Sequence, residues 1–340
     1  MTLPLTDSFG RALKALRISV TDRCNFRCSY CMPEKQCGHR YAFAPRSEIL
    51  TFEEIVRLAQ LLVDLGVTKL RLTGGEPLLR KHIERLIEHL ASQSGITDLA
   101  LTTNGSLLSH KARSLKDAGL HRLTVSLNSL DNDTVMRMNS RNYSVLTVLN
   151  GIESAEKAGF SPVKINAVII RGVNDHTVLD LAQHFRHTGH IVRFIEYMDA
   201  GTMNRWNWKH LVPIDEMISL IHSVYPLERE FPLYFGEVAQ RYRYQDGAGE
   251  IGFIGAVTQP FCSQCTRLRL SPDGKLYTCL FTGHGLDIRT ALRNNTQDTI
   301  LKKLITMLWQ NRNDQYSVIR RTPLNIHRTA QKIEMYQIGG

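Results

Sequence analysis

The sequence predicts an α/β protein: a partial (β/α)6 barrel of the TIM type, followed by a smaller α+β extension. Three observations carry this expectation. From Leu16 to about Tyr225, short β-rich runs alternate with amphipathic helical stretches. Successive β/α units with right-handed crossovers give a parallel sheet with its helices outside, and six units fall short of the eight that close a full barrel. After residue 225 the rhythm changes to short strands, glycine-rich loops and a second group of cysteines.

The strands are expected over 16–20, 69–73, 98–103, 122–128, 163–170 and 191–197. Helices should follow over 52–65, 79–93, 107–118, 131–158 with a break near 140, 174–187 and 214–224. The first opens on Thr51 and Glu54, spaced so that each side chain caps the other's backbone. Strand alternation assigns faces. Lys69, Arg71 and Thr73 share one side of their strand, Leu70 and Leu72 the other. Thr124, Ser126 and Asn128 likewise oppose Leu123, Val125 and Leu127, and Thr102 and Asn104 oppose Leu101. The leucines must meet the helices, so the polar residues line the lumen. Ordinary barrels fill that space with branched apolar side chains; a polar lumen is a site.

Beyond 225, the stretch 231–258 reads as short strands and loops, Ser271 to Gly274 as a hairpin turn, and 287–311 as helical. The expected division is 1–230 for the barrel and 231–340 for the extension.

A chain of 340 residues, 43% hydrophobic and 22% charged, has ordinary globular composition. No stretch approaches the roughly 18 apolar residues of a membrane span, and residues 1–10 lack the apolar core of a secretory signal. A cytoplasmic protein without membrane partners is expected. Lys and Arg number 42 against 32 Asp and Glu, a net charge of +10. No run of five or six basic residues marks a nucleic-acid tail. The basic residues fall instead inside strands and cysteine loops, which favours a phosphorylated small substrate over nucleic acid.

Six of the seven cysteines form two triplets, which argues for thiolates held for metal rather than disulfides. Cys24, Cys28 and Cys31, spaced C-x3-C-x2-C, follow the first strand. Iron–sulfur cubes are normally closed by four cysteines, so three leave one iron open to a small molecule. Tyr30 puts a ring beside the last thiolate. A zinc site would need a fourth ligand, for which Cys37 and His39 are the near candidates. The second triplet is Cys262, Cys265 and Cys279, with Arg267 and Arg269 alternating just past Cys265. His284 could complete a zinc ribbon there, but paired arginines suit a cluster with an anionic ligand beside it. Strand two ends in Thr73-Gly-Gly-Glu-Pro77, where Gly74 and Gly75 let the backbone approach a ligand closely and Glu76 would favour an ammonium group. No G-x4-G-K-S/T phosphate loop is present, so scattered Lys and Arg must hold any polyphosphate.

Taken together, CNFRCSYCMP at 24–33, KLRLTGGEPLLR at 69–80 with LTTNG at 101–105, and FCSQCTRLRLSPDGKLYTCLF at 261–281 with a terminal IGG resemble the GTP 3′,8-cyclase family, radical S-adenosylmethionine enzymes of molybdenum-cofactor biosynthesis. The resemblance spans Arg17 to Gly340. It implies two 4Fe-4S clusters, one on each triplet, with S-adenosyl-L-methionine on the first and GTP between them. It further implies that Tyr30, Gly75, Ser126 and Met198 contact the cofactor. Arg17, Lys69, Arg71, Thr102, Lys164, Arg267 and Arg269 would hold GTP, and Gly339 and Gly340 would enter the site and be needed for catalysis. Arg193 is set aside, because its strand parity is opposite to that of Met198. The implied reaction removes the 3′ hydrogen of GTP and joins C3′ to guanine C8, giving 3′,8-cyclo-7,8-dihydro-GTP. A reducing protein would donate electrons, an enzyme forming cyclic pyranopterin monophosphate would act next, and a homodimer is allowed. Cys37 touches no motif.

Overall fold

The computed structural model describes residues 4–34, 43–141, 143–320 and 332–339. Six strands form the predicted barrel wall: β1 (Ala15–Ser19), β2 (Lys69–Thr73), β3 (Asp98–Thr103), β4 (Arg122–Ser126), β5 (Lys164–Ile169) and β6 (Ile191–Glu196). They pair in sequence order and are parallel throughout.

Residues past 230 do not stand apart from this wall. β9 (Glu250–Ile254) adds in parallel to β6, and β10 (Arg267–Leu270) adds in parallel to β1. Outside them, β8 (Gln240–Tyr244) and β7 (Leu227–Glu230) follow β9, while β11 (Lys275–Tyr277) and β12 (Leu286–Asp287) follow β10, all antiparallel. Among the described residues, one open sheet of twelve strands results. The extension therefore lengthens both edges of the barrel, bringing its cysteines against β1.

The expected face assignment holds. Leu16, Ile18, Leu70, Leu72, Leu101, Leu123, Val125 and Ile165 are buried in one large core, which the helices Phe52–Asp64, Ile83–Ala91, Leu108–Asp117 and Val145–Lys157 complete with their own apolar faces. That packing fixes each strand's rotation about its axis, so its alternate residues must point into the lumen. The Thr51–Glu54 capping box forms in both directions, Glu54 N donating to Thr51 Oγ1 at 3.2 Å and Thr51 N to Glu54 Oε2 at 2.8 Å.

Some helices are shorter than expected. The expected helix 79–93 begins only at Ile83, because a 3-10 turn at Pro77–Leu79 is followed by His82 in the left-handed region. The break near 140 is a real stop: Ser140 ends Asn132–Asn139 at φ 50°, and Ser144 caps Val145–Lys157 by accepting from Leu146 N. The stretch 287–311 divides into Arg289–Arg293 and Asp298–Gln310, with Asn295 at positive φ between them. Among the described residues no helix is long and apolar enough to cross a membrane.

Candidate active site

The first cysteine loop leaves β1 and is fastened at once to the turn after β2. Gly75 N donates to Thr21 O at 2.7 Å and Glu76 N to Arg23 O at 2.8 Å. A Cβ on Gly75 would lie 2.2 Å from Arg23 O, and one on Gly74 2.4 Å from Thr21 O. The glycine pair thus permits two backbones to touch, a role the motif did not announce. Glu76 also differs from expectation. Its carboxylate accepts from Leu78 N, Thr103 Oγ1 and Asn104 N at 2.7–3.0 Å, tying the end of β2 to the end of β3, and burial raises its pKa to about 7. Asn104 joins the cysteine loop to β3, donating to Asn25 Oδ1 at 2.8 Å and to Cys24 Sγ at 3.9 Å.

Burial pushes the Cys24 thiol up to about 12 and Cys28 to about 11, and it raises Cys31 well above its ordinary value; neighbouring thiols add to the shift at Cys24 and Cys31. Three thiols that resist ionising together become thiolates when a cationic centre takes the place of their protons, so the donor set fits an iron–sulfur cube. Among the described residues no three His, Cys, Asp or Glu side chains lie close enough to share a single metal ion. Ligands to different irons of a cube need no such approach. Cys37, His39 and Gly340 lie outside the described residues.

Tyr30, half-buried in this loop, has its hydroxyl accepting from Asn128 Nδ2 at 3.2 Å. Ser126 ends β4, opposite Asn166 of β5. Tyr30, Gly75 and Ser126 therefore gather at the carboxyl ends of the strands, the end where β/α barrels place their chemistry.

Beneath them lies a cavity of about 470 Å³ lined by Arg17, Lys69, Arg71, Thr102, Lys164, Arg193, Met198, Arg267, Arg269 and the second cysteine triplet. Strand register builds its charge. Arg17 of β1 stands directly opposite Arg71 of β2 on one side and Arg269 of β10 on the other. Three guanidiniums on adjacent strands at one level repel each other in a buried place. Burial first, then these neighbours, hold Arg17 well below its ordinary pKa; burial, with further basic neighbours, brings Arg71 and Arg269 to about 10, Arg193 to about 9 and Lys164 to about 8. A polyanion in the cavity would reverse those shifts.

Thr124 organises two of these cations. Its hydroxyl accepts from Arg71 Nη1 at 3.1 Å and Arg193 Nη2 at 3.3 Å, while Thr102 Oγ1 accepts from Arg71 at 3.0 Å. The parity argument that set Arg193 aside fails because β6 ends at Glu196. Met198 lies past the strand, where alternation no longer applies. Lys69 and Lys164 are the first residues of their strands, so the cavity reaches the amino-terminal ends; the ammonium of Lys69 rests 3.2 Å from the centroid of the Tyr234 ring. Tyr234 was not singled out in the sequence, although its aromatic stretch Phe231 to Phe235 was visible.

The second triplet closes one side of the cavity. Cys262 opens a single 3-10 turn and Cys265 follows it, and the β10–β11 hairpin returns the chain so that Cys279 joins them. Burial opposes ionisation of Cys265, but Arg267 and Arg312 outweigh it and bring the thiol down to about 6, whereas burial pushes Cys279 up to about 11. Arg267 Nη2 lies 3.7 Å from Cys265 Sγ. From the opposite direction comes the tail: Ile338 is fully buried against Ala200, Tyr277 and Leu280 with Met198 alongside, and Gly339 O accepts from Arg269 Nη1 at 2.7 Å.

Comparison with known proteins bears on this arrangement. Residues 18–185 match the family described as the radical SAM superfamily, and 190–318 the one described as Molybdenum Cofactor Synthesis C. The chain is 53% identical over 324 residues to a GTP 3′,8-cyclase of Acidothermus cellulolyticus, covering 94% of this chain and 90% of that protein. It is 46% identical over 340 residues to the one of Xanthomonas axonopodis pv. citri and 45% over 341 to that of Staphylococcus haemolyticus, each along the full length of both chains. Among solved structures, SuiB of Streptococcus suis bound to S-adenosylmethionine superposes with a TM-score of 0.62 at 14% identity, covering 91% of this chain and 68% of that one; the likeness there is of fold.

Proposed function

The chain belongs to the GTP 3′,8-cyclase family of radical S-adenosylmethionine enzymes, and from that premise we propose that it cyclises GTP to 3′,8-cyclo-7,8-dihydro-GTP, the first step of molybdenum-cofactor biosynthesis. The observation that carries this reading is the row Arg269, Arg17, Arg71, set in register inside a cavity bordered by three cysteines.

Cys24, Cys28 and Cys31 would hold one 4Fe-4S cluster and Cys262, Cys265 and Cys279 the other, residues 1–230 carrying the first and 231–340 the second. When bound, S-adenosyl-L-methionine and the first cluster, given one electron, supply a radical that abstracts hydrogen. Tyr30, Gly75, Ser126 and Met198 would bind that cofactor at the carboxyl ends of the strands. Lys69, Arg71, Lys164 and Arg17 would take the polyphosphate, with Thr102 and Thr124 orienting the Arg71 fork. Arg193 joins this set. Arg267 and Arg269 would hold the nucleotide against the second cluster, and Gly339 with Gly340 would close the site where the tail meets Arg269. Binding energy spent on orientation and on excluding water is the protein's share of such chemistry.

A reducing protein as electron donor, a following enzyme that forms cyclic pyranopterin monophosphate, a cytoplasmic setting and a homodimer belong to the same proposal. Anaerobic incubation with each nucleoside triphosphate tests it. GTP alone should give 5′-deoxyadenosine together with a cyclised purine; formation of 5′-deoxyadenosine without a nucleotide product, for every triphosphate, would refute the assigned substrate.

A further inference from the structure

The cysteine loop 262–265 is gripped from behind by three charged side chains, of which only Arg312 has a part in the site described so far. Arg11 Nη1 donates to the carbonyl of Cys262 at 2.8 Å, and Arg312 Nη1 to the carbonyl of Cys265 at 2.7 Å. Asp7 lies between the two arginines. Its Oδ2 accepts from Arg11 Nε at 2.6 Å and from Arg312 Nη1 at 3.4 Å, and all three side chains are no more than 2% exposed. Further bonds lock the group: Trp309 Nε1 to Arg11 O at 3.0 Å and Ser8 Oγ to Arg312 O at 2.6 Å.

A buried ion pair is a weak source of stability, because desolvation consumes most of the attraction. Asp314, partly exposed, adds a second carboxylate, its Oδ2 accepting from Arg312 Nε at 3.3 Å, so two arginines meet two carboxylates and the pairing by itself gives little net stability. What the arrangement does provide is position and field. Both arginines end on peptide carbonyls of successive cysteines, while the third, Cys279, is fixed independently by the β10–β11 hairpin. Fixed hydrogen bonds and charge around cluster ligands tune binding and potential.

We propose that Asp7, Arg11 and Arg312 form a clamp that holds the 262–265 loop in its ligating shape and sets the reduction potential of the second cluster through the fixed positions of their buried charges. The proposal rests on the two-cluster reading above. The residues are positioning residues; Asp7 and Arg11 do not line the cavity, and Arg312 borders it.

The test uses a chain in which Cys24, Cys28 and Cys31 are Ala, so that the second cluster is read alone by spectroelectrochemical titration. Arg312→Gln removes a positive charge and should move the potential to more negative values. Asp7→Asn removes a negative charge and should move it the opposite way. Arg312→Lys keeps the charge but not the fork, so its potential should stay near the parent's while a chelator strips iron about 10- to 100-fold faster. Opposite signs cannot come from mere loosening of the fold, and any two of the three variants suffice if one fails to fold. Unchanged potentials, or shifts of the same sign for Arg312→Gln and Asp7→Asn, with the parent cluster intact, overturn the clamp alone. A parent chain that assembles no cluster overturns the two-cluster reading as well.

Discussion

Arg269 Nη1 donates to the carbonyl of Gly339 at 2.7 Å inside the protein, across 70 residues of sequence. The same glycine is at φ 68° and so close to the end of β2 that a Cβ there would lie 2.2 Å from Thr73 Cγ2. The tail is therefore threaded between β10 and β2, and only glycine passes.

Gly339→Ala should expel the tail and lower cyclised product by more than about tenfold, since positive φ and a steric clash each cost on the order of 1–3 kcal/mol. Cofactor cleavage without product should persist. Adding Thr73→Ser removes the nearest clashing atom, so the double variant should recover part of the lost product; product assay by chromatography decides, and no recovery would mean the clash is not the cause.

Lys164 is held near 8 by burial and by Arg193 and Arg122. A bound polyanion would raise it again, so GTP binding near pH 8 should take up a proton. Below the free pKa the ammonium is already present; as pH rises through about 8, affinity should fall. Calorimetry in buffers of different ionisation enthalpy reads the uptake directly, and Lys164→Met should abolish it.

Arg193→Ala should weaken GTP binding by about 1.5–3 kcal/mol, the usual worth of a bond between charged groups. It should leave cofactor cleavage in the absence of GTP unchanged. Equal loss of both would move Arg193 out of the nucleotide site.

Glu76 has its folded pKa raised by burial from 4.5 to about 7. The folded state therefore binds more protons than the unfolded between those values, and the stability that protonated Glu76 adds, full below pH 4.5, is lost as pH rises to about 7. Glu76→Gln removes this slope and sets an amide N–H against a backbone donor, Asn104 N in one orientation. The wild type's advantage in melting temperature over this variant should shrink from pH 5 to pH 7.5; a growing advantage would contradict the assignment.

Much of this was legible in the sequence, because period and spacing are local. Leu70 and Leu72 opposite Lys69 and Arg71 fixed the lumen face, and Thr51 with Glu54 announced a helix start that forms as read. Long-range consequences were not legible. That β10 would pair with β1, and so bring Arg269 level with Arg17, depends on a register between residues some 250 apart in sequence. Arg193 was set aside by extending strand alternation past Glu196, where the strand stops. Glu76 looked like a ligand group, but three donors had already claimed its oxygens. Asp7, Arg11 and Arg312 carried no motif at all, since their meeting is made by Trp309 and the N-terminal segment in space.

Iron and sulfide counted in anaerobically reconstituted protein test the central claim most directly. The account predicts about eight of each per chain, falling by half when either Cys24, Cys28 and Cys31 or Cys262, Cys265 and Cys279 are replaced by Ala. A wild-type chain that saturates at about four would contradict it.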